Sequence, residues 1–555
     1  MSATSISVPA GRPASRAPSP FPADLSHSPL LGIVGVLLGA AIVTFTGRLL
    51  TLGLADLKGN VGIGFDEGAW ISSAFNVALM FIGPFSVYLG GLLGPRRVLL
   101  AGASLFIAIC AFLPMVHSYG LLVFLLAFAG LTSGTFYPLT LTFALRNIPL
   151  RYLALVLALY VFCIEGAVNL APSLYGFFRN HVSWKWMFWL PAIATPVMMT
   201  CIYFGIPPSP KPKSNKKPPS FAGFFYLSAG FALLFAALDQ GQRLDWWRSG
   251  LFTALVAGSV FFLLCALLRR VRGPNPLVDL PYLRNWNTIL LALALFMFRF
   301  VLLGTIVIIP QSLSLRGLDP EQFGPAVLWT AVFELTVAFI GALLLYKGIA
   351  SHLLMAIGFT AVAFACLLNS NFTSAWAAEN YFRSELLMAV GQSFAMLGLV
   401  ASLILQAAFS GALEAPQRTL TFSAFLHSVR LLGGQAGAVL MGHFIADREK
   451  LHSNLLGLHI QSGNWVTDGY LHGLAASLAR RSNGGGAATG RAIDVIESKL
   501  RLQAYSLTFI DTFHLVAWAC VAMLLVTVVL RTSPMNFRQL PALQQGSNSP
   551  QESRP

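Results

Sequence analysis

Charged residues are scarce in this chain of 555 residues: Asp, Glu, Lys and Arg together make up 10% of it, whereas soluble domains average about 25%. Hydrophobic residues make up 56%, and long apolar runs recur along nearly the whole chain. Such runs are typical of helices that cross a membrane repeatedly. The composition therefore excludes most soluble enzymes and nucleic-acid binders, despite a formal net charge of +15.

Motifs that would indicate catalysis or metal binding are also missing. The sequence contains no Gly-x-x-x-x-Gly-Lys-Ser/Thr phosphate loop, no His-Glu-x-x-His and no Cys-x-x-Cys. Each of the six cysteines lies inside an apolar stretch, which argues against a disulfide framework or a zinc cluster. We therefore expect no enzyme activity, no cofactor, no metal site and no nucleic-acid partner.

Apolar runs long enough to cross a bilayer, about 20 residues each, occur fourteen times. They predict an all-α membrane protein with fourteen transmembrane helices, numbered here as spans 1 to 14 in chain order. The spans are predicted at residues 29–54, 68–93, 97–117, 119–145, 152–178, 184–206, 221–239, 250–268, 286–310, 322–346, 349–369, 381–410, 419–445 and 507–531.

The distribution of Lys and Arg predicts how these spans are oriented, because membrane proteins keep basic residues in their cytoplasmic loops. With both termini placed in the cytoplasm, nineteen of the 36 basic residues fall in inner segments and seven in short outer loops. No cleavable signal peptide is visible before span 1, so that span is expected to act as an uncleaved insertion signal.

The chain divides at a Lys- and Pro-rich stretch, after which two spans are inserted between two sets of six. Six plus six spans suggest a duplicated transporter fold. The predicted parts are a disordered cytoplasmic tail (1–27), an N-terminal six-helix half (28–206), a cytoplasmic linker (207–219), two inserted transmembrane helices (220–270), a C-terminal six-helix half (271–535) and a second disordered cytoplasmic tail (536–555).

A long polar segment, residues 446–506, separates spans 13 and 14 on the predicted outer side. Its sequence predicts helices around 465–482 and 490–505. The segment is either a tether between the two spans or a docking surface for a periplasmic partner.

Five local patterns match motifs of one transporter family. The run DEGAWI at 66–71 stands at the entry to span 2, and GGLLGPRR at 90–97 forms a Gly-rich basic loop after it. The run APSLYG at 171–176 lies in span 5 and is followed by WKWMF at 184–188, while RLLGGQAG at 430–437 lies in span 13. Together they resemble the major facilitator superfamily, specifically its fourteen-span drug:proton antiporter branch (EmrB/QacA type).

The resemblance implies a major facilitator fold and proton-coupled efflux of drugs or of apolar and aromatic-acid compounds through a bacterial inner membrane. In such folds a small-molecule substrate binds near the bilayer midplane, between two halves whose rocking exposes the site to each side in turn. A periplasmic adaptor protein and an outer-membrane channel are implied as partners for a Gram-negative host. The family's acidic residue of span 1 and basic residue of span 4 are absent here, where the sequence reads Thr44–Arg48 and Leu125–Phe128.

Ionisable residues within membrane spans are costly, so each is a functional hypothesis. The candidates for proton coupling are Glu165, Arg48 and Glu334. Burial favours the neutral form of a carboxyl group, so a buried Glu can take up a proton. Glu165, near the middle of span 5, is the leading candidate, and the alternative is a static ion pair with Arg48.

The candidates for the substrate cavity are Arg299, Arg430 and His427. Arg299 in span 9 either faces the cavity, where it would attract an anionic substrate, or pairs with Glu334 and fixes helix packing. Arg430 in span 13 faces the cavity or lies shallow enough to reach the inner surface. His427 shares the Arg430 face and is either a group that changes charge near neutral pH or a structural histidine.

A third set of candidates concerns conformational change. Glycines spaced four apart let two helices approach closely, and Pro with Gly bends span 5. The basic pair after span 2 sets the topology or gates the inner face. The set is Gly90, Gly94, Arg96, Arg97, Pro172, Gly176, Gly433 and Gly437.

Two other kinds of function stay open at this point. A uniporter or importer of organic anions is favoured by the absence of the family's usual charges in spans 1 and 4. A non-transporting membrane receptor would usually carry a folded output domain, and no soluble segment here is long enough for one.

Overall fold

The fold is described from a computed structural model of the chain. It describes residues 29–148, 150–206, 220–272, 285–410, 413, 416–461, 463–480, 485–530 and 537. The predicted tails at 1–27 and 536–555 and the linker at 207–219 fall outside the described residues, apart from Phe537.

Fourteen helices in the described part of the chain are long and apolar enough to cross a membrane, as the sequence predicted. Each overlaps one predicted span, and most ends agree within a few residues. The spans are Leu30–Leu52, Phe65–Leu93, Pro95–Met115, Tyr119–Arg146, Tyr152–Val182, Trp186–Gly205, Phe221–Gly241, Gly250–Arg269, Trp286–Ser314, Pro320–Tyr346, Ser351–Asn369, Ala378–Phe409, Arg418–Gly457 and Ala488–Val529.

The last two spans are much longer than predicted, because their helices continue beyond the apolar stretch. The span 13 helix runs to Gly457, and the span 14 helix starts at Gly485. A separate outer helix, Trp465–Ala479, lies between them and agrees with the helix predicted around 465–482. The helix predicted at 490–505 is not a separate element, since these residues form the first turns of the span 14 helix.

Spans 5 and 10 join the two six-helix halves through small residues. A Cβ atom added to Gly176 in span 5 would overlap the backbone of Glu321, and one added to Gly324 in span 10 would lie 2.7 Å from the Cα of Ser173. Pro172 lies inside the span 5 helix, which stays helical around it. The Pro172–Gly176 stretch therefore packs directly against the span 10 backbone.

The glycine pairs differ in what they do. Gly433 and Gly437 lie on one face of span 13, where added Cβ atoms would be 2.8 Å from the Cα of Phe296 and 3.0 Å from that of Phe300, both in span 9. Gly90 faces Leu420 of span 13 across the halves. The expected packing role of Gly94 is wrong: its φ of 88° ends the span 2 helix, and nothing lies within 4 Å of an added Cβ.

The two inserted spans pack on each other and on the N-terminal half. The hydroxyl of Ser259 in span 8 donates to the carbonyl oxygen of Gly230 in span 7 at 2.9 Å. The ring of Phe225 in span 7 lies edge-on to Phe81 in span 2, with 5.8 Å between the ring centroids. The inserted pair is thus a helical hairpin attached to span 2.

We predict that Gly176→Ala destabilises the protein, because the added methyl group overlaps the span 10 backbone. Overpacking of this kind costs about 1–3 kcal/mol, and the expected result is a lower Tm of the detergent-purified protein. Gly473→Ala in the outer helix is the matched control, since nothing lies within 4 Å of its added Cβ and alanine favours a helix by up to about 1 kcal/mol. An unchanged or raised Tm for Gly176→Ala would contradict this packing.

Candidate functional site

A cavity of about 40 Å³ lies between the two halves near the middle of the spans. Spans 4 and 5 line one side of it, and spans 9, 12 and 13 line the other. Drug-sized ligands occupy roughly 300–1,000 Å³, so the halves must move apart to admit one. The lining residues are Tyr137, Leu141, Tyr160, Val161, Ile164, Leu295, Met396, Val400, Ser423, Leu426, His427 and Arg430.

Arg430 brings a positive charge to this cavity. Its guanidinium carbon lies 4.4 Å from the ring centroid of Tyr137, a cation–π contact. Its Nε and one Nη atom are buried without a hydrogen-bond partner, and none of the ion pairs between described residues includes it. The alternative that Arg430 reaches the inner surface is therefore wrong, because its head group is held deep between the halves.

Tyr137 organises the polar side of the cavity. Its hydroxyl is 2.5 Å from the Thr44 hydroxyl of span 1, and its ring stacks on His427 with 5.2 Å between centroids. Tyr160 meets it edge-on at 6.4 Å. His427 is 4% exposed and also lies against Gly83 of span 2, where an added Cβ would be 2.9 Å from the imidazole.

Glu165 pairs with Arg299 across the interface between the halves. The distance from Nη1 of Arg299 to Oε1 of Glu165 is 3.5 Å, and the side chains are 16% and 2% exposed. The second carboxylate oxygen of Glu165 is buried with no hydrogen-bond partner. This long, incompletely satisfied pair lies next to the cavity, since Ile164 and Tyr160 of the same helix line it.

Both ion pairs considered as alternatives from the sequence are wrong. Arg48 does not contact Glu165; it donates to the carbonyl oxygen of Ile306 in span 9 at 2.8 Å. Arg299 does not pair with Glu334, because Arg299 faces Glu165 on the other half. Arg48 therefore links spans 1 and 9, and Glu334 has no described cationic partner.

Glu334 belongs to a buried network of amides that the sequence reasoning missed. The side-chain nitrogen of Asn169 in span 5 donates to Oε1 of Glu334 and to Oε1 of Gln392 in span 12, each at 3.1 Å. A further carboxylate, Glu385 in span 12, accepts from the Thr330 hydroxyl. Asn169 and Gln392 are polar, uncharged residues inside apolar spans, and this pattern is the sequence signal for such a network. Considering only charged residues overlooks them.

Polar contacts join the two halves toward both ends of the spans. At the predicted outer end, Arg179 binds Asp319 at 3.2 Å and His181 lies 2.7 Å from Glu321, and both pairs join span 5 to span 10. Toward the other end, the Thr142 hydroxyl of span 4 donates to Ser423 of span 13 at 3.1 Å. These contacts must break if the halves move apart at either end.

The basic pair after span 2 lies within the N-terminal half. A terminal nitrogen of Arg96 donates to the carbonyl oxygen of Tyr203 at the end of span 6 at 2.6 Å, and its guanidinium lies over the Tyr203 ring. Arg97 is exposed. Neither makes a described contact to the C-terminal half in this state.

Known proteins resemble the chain over most of its length. It is 22% identical to the multidrug export protein EmrB of Haemophilus influenzae over 461 residues, which cover 81% of this chain and 87% of that protein. It is 23% identical to the fatty acid resistance protein FarB of Neisseria gonorrhoeae over 487 residues, or 86% of this chain and 91% of FarB.

Solved structures share the architecture. An auto-inhibited POT family peptide transporter aligns with a TM-score of 0.53 at 14% identity, covering 91% of this chain and 99% of that one. The human organic anion transporter MFSD10 aligns with a TM-score of 0.50 at 14% identity, covering 88% and 99%. These likenesses concern the fold, and they confirm the all-helical transporter architecture expected from the sequence. The family model of the Major Facilitator Superfamily matches residues 36–438, more than half of the chain, so the protein belongs to the Major Facilitator Superfamily.

Proposed function

We propose that this transporter exports amphipathic organic compounds, above all aromatic or apolar acids, in exchange for protons. The observation that carries the proposal is the Arg430 guanidinium at an otherwise largely apolar cavity between the halves: two of its nitrogens are buried without a hydrogen-bond partner, and it forms no ion pair among the described residues. The names of the relatives, which refer to multidrug export and fatty acid resistance, support export as the direction. A fatty acid joins a carboxylate to an apolar chain, which is the chemistry this cavity fits.

Recognition of an acid follows from the arrangement around Arg430. A cation buried without a counter-ion is costly, and a carboxylate supplies both the missing charge and acceptors for the free N–H groups. Leu141, Val161 and Leu295 offer apolar surface for the rest of the ligand. Tyr137 and Tyr160 present aromatic faces against which an aromatic acid can stack.

Proton coupling is proposed to use the Glu165–Arg299 pair. Protonation of Glu165 removes its negative charge, weakens the 3.5 Å pair and loosens a link between spans 5 and 9 of opposite halves. The two halves must separate for the cavity to open. The charge state of Glu165 therefore affects how strongly the Glu165–Arg299 pair holds the halves together. Arg48 and Glu334 remain candidates for proton coupling. Arg48 links spans 1 and 9, and Glu334 is a second buried carboxyl group.

Import or uniport of organic anions is the second candidate. The observation that favours it is electrostatic: protonation of Glu165 leaves Arg299 and Arg430 as neighbouring cations, which raises the attraction for an anion. A proton and an anion would then bind together, as co-transport requires, whereas exchange requires them to bind in turn. Measuring anion affinity as a function of pH distinguishes the two.

The setting of the transporter is proposed to be a bacterial inner membrane with both termini in the cytoplasm. The bias of basic residues toward the predicted inner loops supports this orientation. The helical extensions to Gly457 and from Gly485, with the outer helix between them, then project on the periplasmic side. A periplasmic adaptor, with an outer-membrane channel beyond it, is the partner proposed for this projection.

We predict that Arg430→Gln weakens binding of an aromatic acid by about 10- to 100-fold. A charge-assisted hydrogen bond contributes about 1.5–3 kcal/mol, and each 1.4 kcal/mol is tenfold in affinity. Isothermal titration of the purified protein with the acid and with its neutral primary amide measures the effect.

The amide should bind the variant and the natural protein equally, since it lacks the charge that Arg430 recognises. Arg248→Gln, at a side chain 85% exposed in the loop between spans 7 and 8, is the matched control and should leave both affinities unchanged. Equal affinity of Arg430→Gln for the acid would remove this residue from recognition.

We predict that Glu165→Gln uncouples transport from the proton gradient but preserves exchange of substrate for substrate. One coupled proton at 100 mV provides about 2.3 kcal/mol, equivalent to about a 40-fold concentration ratio, and the variant should lose that accumulation in proteoliposomes. Counterflow should continue, because the glutamine keeps the shape of the site. If Glu165→Gln accumulated substrate to the same ratio as the natural protein, and an uncoupler still abolished that accumulation, Glu165 would be excluded as the proton carrier. The control is Glu379→Gln, at an exposed residue.

A further inference from the structure

Two further carboxyl groups lie inside the C-terminal half, and one of them, Glu334, neighbours Glu165. Glu334 in span 10 and Glu385 in span 12 are both 0% exposed. One oxygen of Glu334 accepts from Asn169, and one oxygen of Glu385 accepts from Thr330. The other oxygen of each carboxyl group is buried with no hydrogen-bond partner.

These two acids share an environment without a described cation. The charged neighbours of Glu334 are Glu165 and Glu385, and the titratable groups that face Glu385 from spans 11 and 12 are Cys366 and Tyr381. No ion pair between described residues includes Glu334 or Glu385. Two ionised carboxylates so placed would each carry an unmatched charge in a dry interior.

A proton supplies what the cluster lacks. A carboxyl group that carries a proton is neutral and gains one donor, which can serve an otherwise unpartnered oxygen nearby. Among the described residues, no group of three or more His, Cys, Asp and Glu side chains is arranged to hold a metal ion. One proton on either carboxyl group removes one of the two unmatched charges and adds a donor.

The hydrogen bonds place the two carboxyl groups close together. The Thr330 hydroxyl, bonded to Glu385, lies four residues before Glu334 on the same face of span 10. Asn169, bonded to Glu334, lies four residues after Glu165 on span 5. Thr330 and Asn169 therefore hold Glu385 and Glu334 in neighbouring positions.

We propose that Glu385 and Glu334 form a second proton-binding site. Hydronium gives its proton to one of the two carboxylates and becomes water, so charge and atoms balance. The site deepens the proton exchange proposed above and rests on it for its role in transport, but its occupancy by a proton does not.

Infrared difference spectroscopy of the detergent-purified protein tests the site without any transport. At about pH 7, exposed carboxyl groups are ionised, so the carbonyl stretch of protonated carboxyl groups reports buried ones. We expect this band to shrink in Glu385→Gln and in Glu334→Gln and to keep its size in Glu379→Gln. A band of full size in both buried variants, or an equal loss in Glu379→Gln, would overturn the proposal.

Two changes at Thr330 test the environment of Glu385. Thr330→Val removes the hydroxyl that donates to Glu385 with little change in shape, and should move the carbonyl stretch of protonated Glu385 to higher frequency, while Thr330→Ser keeps the hydroxyl and should leave that band in place. An identical band in the Val and Ser variants would exclude Glu385 as a protonated group. Because the infrared signal needs no substrate, loss of all transport with an intact band would fault the proposed exchange and not the proton site.

Discussion

The cost of an ionised group in a low-dielectric interior is the constraint on which this structure depends. Removing a charge from water costs several kcal/mol unless a partner replaces the lost hydration, so a membrane protein keeps few buried charges. Here Glu165 and Arg299 partly neutralise each other across the interface of the halves, and Arg48 donates one hydrogen bond to a backbone carbonyl. Arg430 is left with an aromatic face and free N–H groups, and that imbalance is what a ligand can relieve.

The same constraint explains why small residues carry the contacts between moving parts. Charged or long side chains at the junction of spans 5 and 10 would hold the helices apart, whereas Gly176 and Gly324 let their backbones touch. The polar pairs Arg179–Asp319 and His181–Glu321 lie at the end of this junction, where water can replace each partner as the halves separate. Opening there costs little, because exposed ion pairs contribute about 0–1 kcal/mol each.

Hydropathy predicts the number of spans and their approximate limits, because each span must be apolar over about the thickness of the bilayer. It does not predict which charges meet, since Glu165 and Arg299 are brought together by the rotation of spans 5 and 9 about their axes. Glu385 escaped notice because it lies near the start of its predicted span, where a charge is expected to reach water. The polar turns at 490–505 read as a separate helix, since nothing in their composition marks continuity with the apolar stretch after them.

The charges around the cavity also bear on the direction of transport. With Glu334 and Glu385 protonated, two guanidiniums and one carboxylate leave the empty site with one net positive charge, and a bound carboxylate makes it neutral. A membrane potential that is negative inside favours moving positive charge inward by about 2.3 kcal/mol per charge at 100 mV. The potential therefore assists the inward return of the empty site, and assists it still more when Glu165 is protonated. The neutral, anion-loaded site moves outward with no net charge for the potential to act on. Import of the anion without a proton would need the empty, positive site to return outward against the potential, so these charges favour export over uniport into the cell.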